Sequence, residues 1–112
     1  MQADRLTSAL LVGVLVRRAA AAGGFATVLV KGDEISGVIL IEAAERGESR
    51  GLYERVPDLA GNYHLQCCGP PPEEGPESLS QYIARRRRAD PDLWIIELDI
   101  AEAERFAAET IC

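Results

Sequence analysis

Four consecutive arginines, Arg85 to Arg88, stand in a chain of 112 residues whose formal net charge is −6. A guanidinium is permanently charged and presents a planar fork of donors, so such a run suits phosphate, carboxylate or a nucleic-acid backbone. Arg17 and Arg18 follow an apolar stretch near the start of the chain and could join the same surface. Arg85, Arg86, Arg87, Arg88, Arg17 and Arg18 are therefore the candidates for an anion or partner contact. On a helix successive residues are separated by about 100°, so four arginines in a row encircle one turn instead of forming a flat patch. At a helix C-terminus they also complement the backbone dipole, at about 0.3–1 kcal/mol each. Only Arg86 shares the face of Leu79, Tyr82 and Ile83. A guanidinium on an apolar face must snorkel to water or find a partner.

His64, Cys67 and Cys68 are the other cluster with chemical potential, since all three are zinc-ligand types. On a strand, however, His64 and Cys68 share one face and Cys67 points away. Adjacent cysteines also lack the two-residue spacer that lets two thiolates close on one ion. They read as free thiols, and no metal is expected. His64 is the single histidine, and no serine lies in a G-x-S-x-G elbow. Gly23-Gly24 closes a helix before a strand, the reverse of the order in a phosphate loop. The 18 carboxylates offer many pairs, and nothing in their spacing selects one. No catalytic or cofactor-binding residue is assigned, and no cofactor is expected.

The whole-chain balance narrows the classes further. A composition 47% hydrophobic and 27% charged belongs to a globular protein, and the length suits one domain spanning residues 1–112. The acidic balance, with a pI near 4.8, opposes broad binding to nucleic acid or anionic membrane. Three cysteines, two of them adjacent, do not make a disulfide framework and point to a reducing cytoplasm. "ALLVGVLV" (Ala9–Val16) is shorter than the roughly 18–20 apolar residues a bilayer requires. Arg17 and Arg18 interrupt it where a signal peptide stays uncharged, so neither export nor membrane insertion is expected.

These residues need positioning elements. Leu6–Ala22 reads as a first helix, apolar over most of its circumference and so covered on more than one side, by the sheet or by a second copy. Phe25–Val30 and Ser36–Ala43 are nearly continuous apolar runs, expected as central strands joined by a tight turn in "KGDEI". Ser49–Val56 and Asn62–Cys68 follow as strands, the latter the more exposed. Gly69–Glu77, rich in proline, is expected to be irregular. "SLSQ" (Ser78–Gln81) has the pattern of a capping box for a second helix, Leu79–Arg88, which Asp90-Pro91 ends. Asp92–Leu98 is a fifth strand, with Trp94 in the core. Asp99 and Glu102 then form a cap signature for a last helix. Short connections make antiparallel neighbours the default. The expectation is an α+β domain in the order α-β-β-β-β-α-β-α, with a mostly antiparallel sheet.

Two blocks carry a resemblance: "LVRRAAAAGGFATVLVKGDEISGVILI" (Leu15–Ile41) and "YIARRRRADPDLWIIELD" (Tyr82–Asp99). Paired arginines late in the first helix, an A-G step into an apolar strand, a K/R-G-D turn and a late DPDLW segment resemble domain of unknown function 1491, a family of small alphaproteobacterial proteins. The segment Pro57–Glu77 is the least similar. The chain departs from the pattern in its unbroken "RRRR" and in the Cys67-Cys68 pair. The resemblance implies a cytoplasmic, single-domain bacterial protein without a recognised cofactor, and it carries no catalytic or binding residue over.

The favoured function is therefore a non-catalytic adaptor or protein-interaction domain, contacting an unknown protein partner or associating with itself as a homodimer. The alternative is nucleic-acid or phosphate-ligand binding through the arginine run. The second alternative is an enzyme with an unrecognised carboxylate or thiol site.

Overall fold

The computed structural model describes residues 6–112. Helix α1 spans Ser8–Ala21, with Thr7 as its N-cap accepting the Leu10 N–H at 3.2 Å. It buries Leu11, Val12, Leu15 and Ala19, an i, i+4, i+8 stripe with one neighbour, and ends before the left-handed Gly23. Strands β1 (Phe25–Val30), β2 (Ile39–Glu45), β3 (Glu48–Pro57) and β4 (Tyr63–Cys68) follow. Helix α2 (Pro76–Ala89), strand β5 (Trp94–Asp99) and helix α3 (Ala103–Ile111) complete the expected α-β-β-β-β-α-β-α order.

The five strands form one sheet in the order β1-β5-β2-β3-β4. Only β2 and β5 run parallel; the other three pairings are antiparallel. Alternation along β2 and β5 divides the core in two. Ile39, Ile41, Ala43, Trp94, Ile96 and Leu98 pack against α1 and α3. Leu40, Leu52, Leu93 and Ile95 pack under Leu79, Tyr82 and Ile83 of α2. The sheet is thus sandwiched, and its two most deeply buried strands, β2 and β5, lie where both faces can be covered.

That sandwich corrects several local expectations. β1 and β2 are not neighbours, because β5 lies between them. The link from Lys31 to Val38 is not a tight hairpin turn; it is long enough to bridge two strand spacings, each about 4.8 Å. β1 therefore becomes an edge strand, although it reads as central. Gly69–Glu77 is partly regular: Pro72–Glu74 makes a 3₁₀ turn, and α2 begins at Pro76. Proline suits the first helical position because its φ is preset and that position needs no N–H. Ser78 accordingly lies inside the helix, and its hydroxyl donates to Glu74 Oε1 at 2.9 Å. Asp99 caps no helix; its carboxylate accepts the N–H groups of Arg46 and Gly47, both at 2.8 Å, and closes the β2–β3 turn. No helix among the described residues is long and apolar enough to cross a membrane.

Candidate functional site

The arginine run ends α2 and complements its dipole, with Arg86, Arg87 and Arg88 in the last turn. Arg86 crosses from the helix to β3, where Nη1 lies 3.1 Å from Glu54 Oε1 and donates to Tyr82 Oη at 2.9 Å. Burial works against this charge, but the Tyr82 hydroxyl and the Glu54 carboxylate together hold its pKa above the ordinary arginine value. Arg86 is thus an internal clamp between α2 and the sheet. Replacing it with methionine, which keeps the apolar stem, is expected to cost about 1–2 kcal/mol in urea unfolding by leaving Glu54 half-buried and unpaired. Arg87→Met should change stability by less than about 0.5 kcal/mol. Equal midpoints for the two variants would remove the clamp. Arg85, Arg87 and Arg88 are exposed, and the Arg85 guanidinium stands 5.7 Å from the Tyr82 ring centre. Arg17 and Arg18, also exposed, belong to α1 on the opposite face of the sheet. The six candidate arginines do not converge on one surface.

The two sequence blocks that resemble a family do meet, in a structural junction. The Asp33 N–H donates to the Asp92 carbonyl at 3.0 Å, and Trp94 Nε1–H donates to the Asp33 carbonyl at 2.7 Å. The Asp33 carboxylate accepts from the N–H groups of Ser36 and Ile35, which hold it below the usual carboxylate range. Carbonyls of the same loop accept the first helical N–H groups of α1: Ile35 from Ser8 at 3.1 Å and Glu34 from Ala9 at 2.9 Å. Ser8, though buried, is satisfied by donating to the Gly37 carbonyl at 2.6 Å. The K-G-D and D-P-D-L-W segments therefore tie α1, β1 and β5 together through main-chain groups, the Asp33 carboxylate and the Trp94 ring nitrogen.

β1 and β4 are the two margins of the sheet, and β1 is the one that exposes large apolar side chains. β1 pairs only with β5 among the described residues, so its outer row of backbone groups has no partner there. Its six residues carry no charge, and Phe25 is 74% exposed, Leu29 49% and Val28 41%. Native edge strands are normally blunted by charge, proline or bulges. β1 has one such device, a bulge between Val28 and Val30.

Behind this edge lies a carboxylate row. Thr27 pairs with Glu97 across β1–β5, and Glu97 with Glu42 across β5–β2. All three are on the α2 side of the sheet but beyond the residues that α2 covers. Neither glutamate forms an ion pair among the described residues. Burial, and then the charge of Glu97, push the Glu42 pKa above the ordinary glutamate value. Glu42 also lines a hollow of about 340 Å³ between Ser49, Leu79 and the Pro70–Pro72 connector. Sequence reading missed this pair, although a signal was present: one glutamate interrupts each of two strongly apolar runs, "ILIEAA" and "WIIEL". A second hollow, of about 220 Å³, is bordered by Arg55, but that side chain donates to the Ile111 carbonyl at 2.7 Å and stacks on Tyr63.

The thiols do not form a reactive cluster. Cys68 packs beneath α2, and burial raises its pKa, while Cys67 faces away and is exposed. Among the described residues no group of three histidine, cysteine or acidic side chains is placed to hold a metal ion.

Comparison with known proteins agrees with the fold. A crystal structure of a DUF1491 family protein from Caulobacter crescentus superposes with a TM-score of 0.77 at 32% identity, covering 90% of this chain and 94% of that one. A solution structure of a protein from A. tumefaciens matches with a TM-score of 0.66, again at 32% identity, over 86% of each chain. An NMR structure of a DUF1491 protein from Caulobacter crescentus gives 0.73 at 31% identity, covering 91% of this chain and 92% of that one. No curated protein sequence matches the chain. The profile described as "Protein of unknown function (DUF1491)" matches residues 6–108, and the chain belongs to that family.

Proposed function

We propose that this protein is a non-catalytic interaction domain whose contact surface is the open edge of β1, to which a protein partner adds a strand. The observation that carries the reading is an uncharged, apolar edge strand with Phe25 three-quarters exposed and an unpaired outer backbone row. Strand addition draws affinity from main-chain hydrogen bonds and specificity from alternate side chains, and β1 offers both. Large exposed apolar residues grouped on one edge are otherwise a liability for a free protein. The free cysteines and the acidic surface support a cytoplasmic setting for that partner.

The test is affinity capture from a lysate of an alphaproteobacterium, comparing the wild-type chain with Val28→Lys and with the double variant Arg87→Ala, Arg88→Ala. Val28→Lys should shift stability by less than about 0.5 kcal/mol, since the site is exposed. It should abolish recovery of the partner, whereas the arginine double variant should retain it. Retention by Val28→Lys and loss by the arginine variant would move the interface to α2. Co-purifying RNA lost at higher salt would instead favour the nucleic-acid reading. That reading draws less support, with Arg86 engaged by Glu54 and Arg17 and Arg18 on the other face.

An enzymatic reading is favoured by one observation, the raised pKa of Glu42 beside a hollow. The hollow's one hydroxyl belongs to Ser49, whose oxygen accepts the Gly51 N–H, and its border includes no cation.

A further inference from the structure

Resting on the β1-edge reading, we infer that the segment docking there is an extended peptide whose residues alternate between apolar and basic, its lysine or arginine side chains reaching over Thr27 toward Glu97 and Glu42. A strand added to β1 continues the lateral row Thr27–Glu97–Glu42 by one residue on the same face. That residue lies about two strand spacings from Glu97, with only the short Thr27 side chain between. A long aliphatic stem can cross this gap and leave its charge at Glu97, on the side of the row that leads to Glu42 one strand spacing farther on. Phe25, two residues along on the same face and exposed, offers an aromatic ring to a neighbouring guanidinium or ammonium group. The residues between the basic ones would meet the Val28 side, which is apolar.

Charge complementarity selects this occupant. Glu42 and Glu97 are like charges directly opposite one another, a pairing that is unfavourable until a cation joins it. Burial is the main cause of the raised pKa of Glu42, and the charge of Glu97 adds to it in the same direction. A second copy of β1, paired along its full length, would set Val28 beside Thr27 and bring no charge to the carboxylates. Two copies would also each carry a net charge of −6.

The experiment uses the isotope-labelled full chain, titrated with short acetylated peptides that alternate valine with lysine or valine with glutamine. The lysine peptide should shift the amide resonances of Phe25–Val30 and bind about ten-fold more tightly than the glutamine peptide. The preference should vanish in the double variant Glu42→Gln, Glu97→Gln, with Glu97→Gln alone as the milder variant if folding suffers. Equal affinity for the two peptides would overturn the inference and leave the edge reading standing. Peptides that move no β1 resonance at millimolar concentration would overturn both. A dimeric mass by light scattering that becomes monomeric in Val28→Lys would hand the edge to a second copy, and would also overturn the inference.

Discussion

Gly32→Ala is expected to lower stability by about 3–4 kcal/mol, the cost of forcing atoms into a site with no room to give. A Cβ at Gly32 would run into the Asp92 carbonyl oxygen, would lie 2.7 Å from the Leu93 carbonyl carbon, and would press on Trp94 Cδ1 at the same distance. Two of these three obstacles are backbone, so no side-chain rotation relieves them. The loop would have to lift from β5, breaking the 3.0 Å Asp33–Asp92 bond and loosening the carbonyls that cap α1. For a domain of this length the loss corresponds to roughly 12–20 °C in Tm. Trp94 is the only tryptophan, so its emission reports the junction directly during thermal unfolding. Gly47→Ala is the control. A Cβ there meets nothing within 4 Å, and only its left-handed φ of 81° opposes alanine, at about 1–2 kcal/mol. Similar losses for the two variants would mean that the close approach at Gly32 is not what holds the junction.

Trp94→Ala should cost about 3–5 kcal/mol, as truncation of a large buried aromatic usually does. The side chain is 4% exposed and packs in the layer formed by α1, α3, β2 and β5. Its ring nitrogen also donates to Asp33, so the residue anchors the loop as well as filling the core. Trp94→Phe separates the two roles. It retains most of the apolar area and loses the 2.7 Å hydrogen bond, so about 1 kcal/mol is expected. Because the loop presents its carbonyls to Ser8 and Ala9, amide exchange at those two positions should quicken in Trp94→Phe more than at Ile41 in the sheet interior. Uniform quickening across the molecule would show that the hydrogen bond does not specifically brace the loop.

These variants bear on how the family's motifs are read. "KGD" and "DPDLW" look functional because they combine charge, glycine and an aromatic in specific order. Several of their polar atoms are instead engaged within the fold: Asp33 with Ile35, Ser36, Asp92 and Trp94, and Asp90 with the Asp92 N–H at 3.1 Å. The proposed contact edge is chemically plain by comparison: a strand of Phe, Ala, Thr, Val and Leu, with two glutamates behind it.

Local order in the chain was sufficient for the element order, the α+β class and the extents of most elements to within a few residues. Helix stripes, strand runs, the glycine stop after α1 and the break at Asp90-Pro91 all act between near neighbours, so they are written in short windows. The face of α2 that carries Arg86 was legible for the same reason, but its partner Glu54 was not, since that contact spans the sheet. Only the tertiary structure decided that β5 would enter between β1 and β2. Strand order depends on which apolar surfaces bury most completely together, and that is settled by pairing between distant segments. This one insertion turns "FATVLV" from an expected central strand into an open edge and sets Glu97 beside Glu42. The amino-acid sequence determined which pieces would form; the competition for coverage between non-neighbouring strands determined which of them would be left at the edge of the sheet.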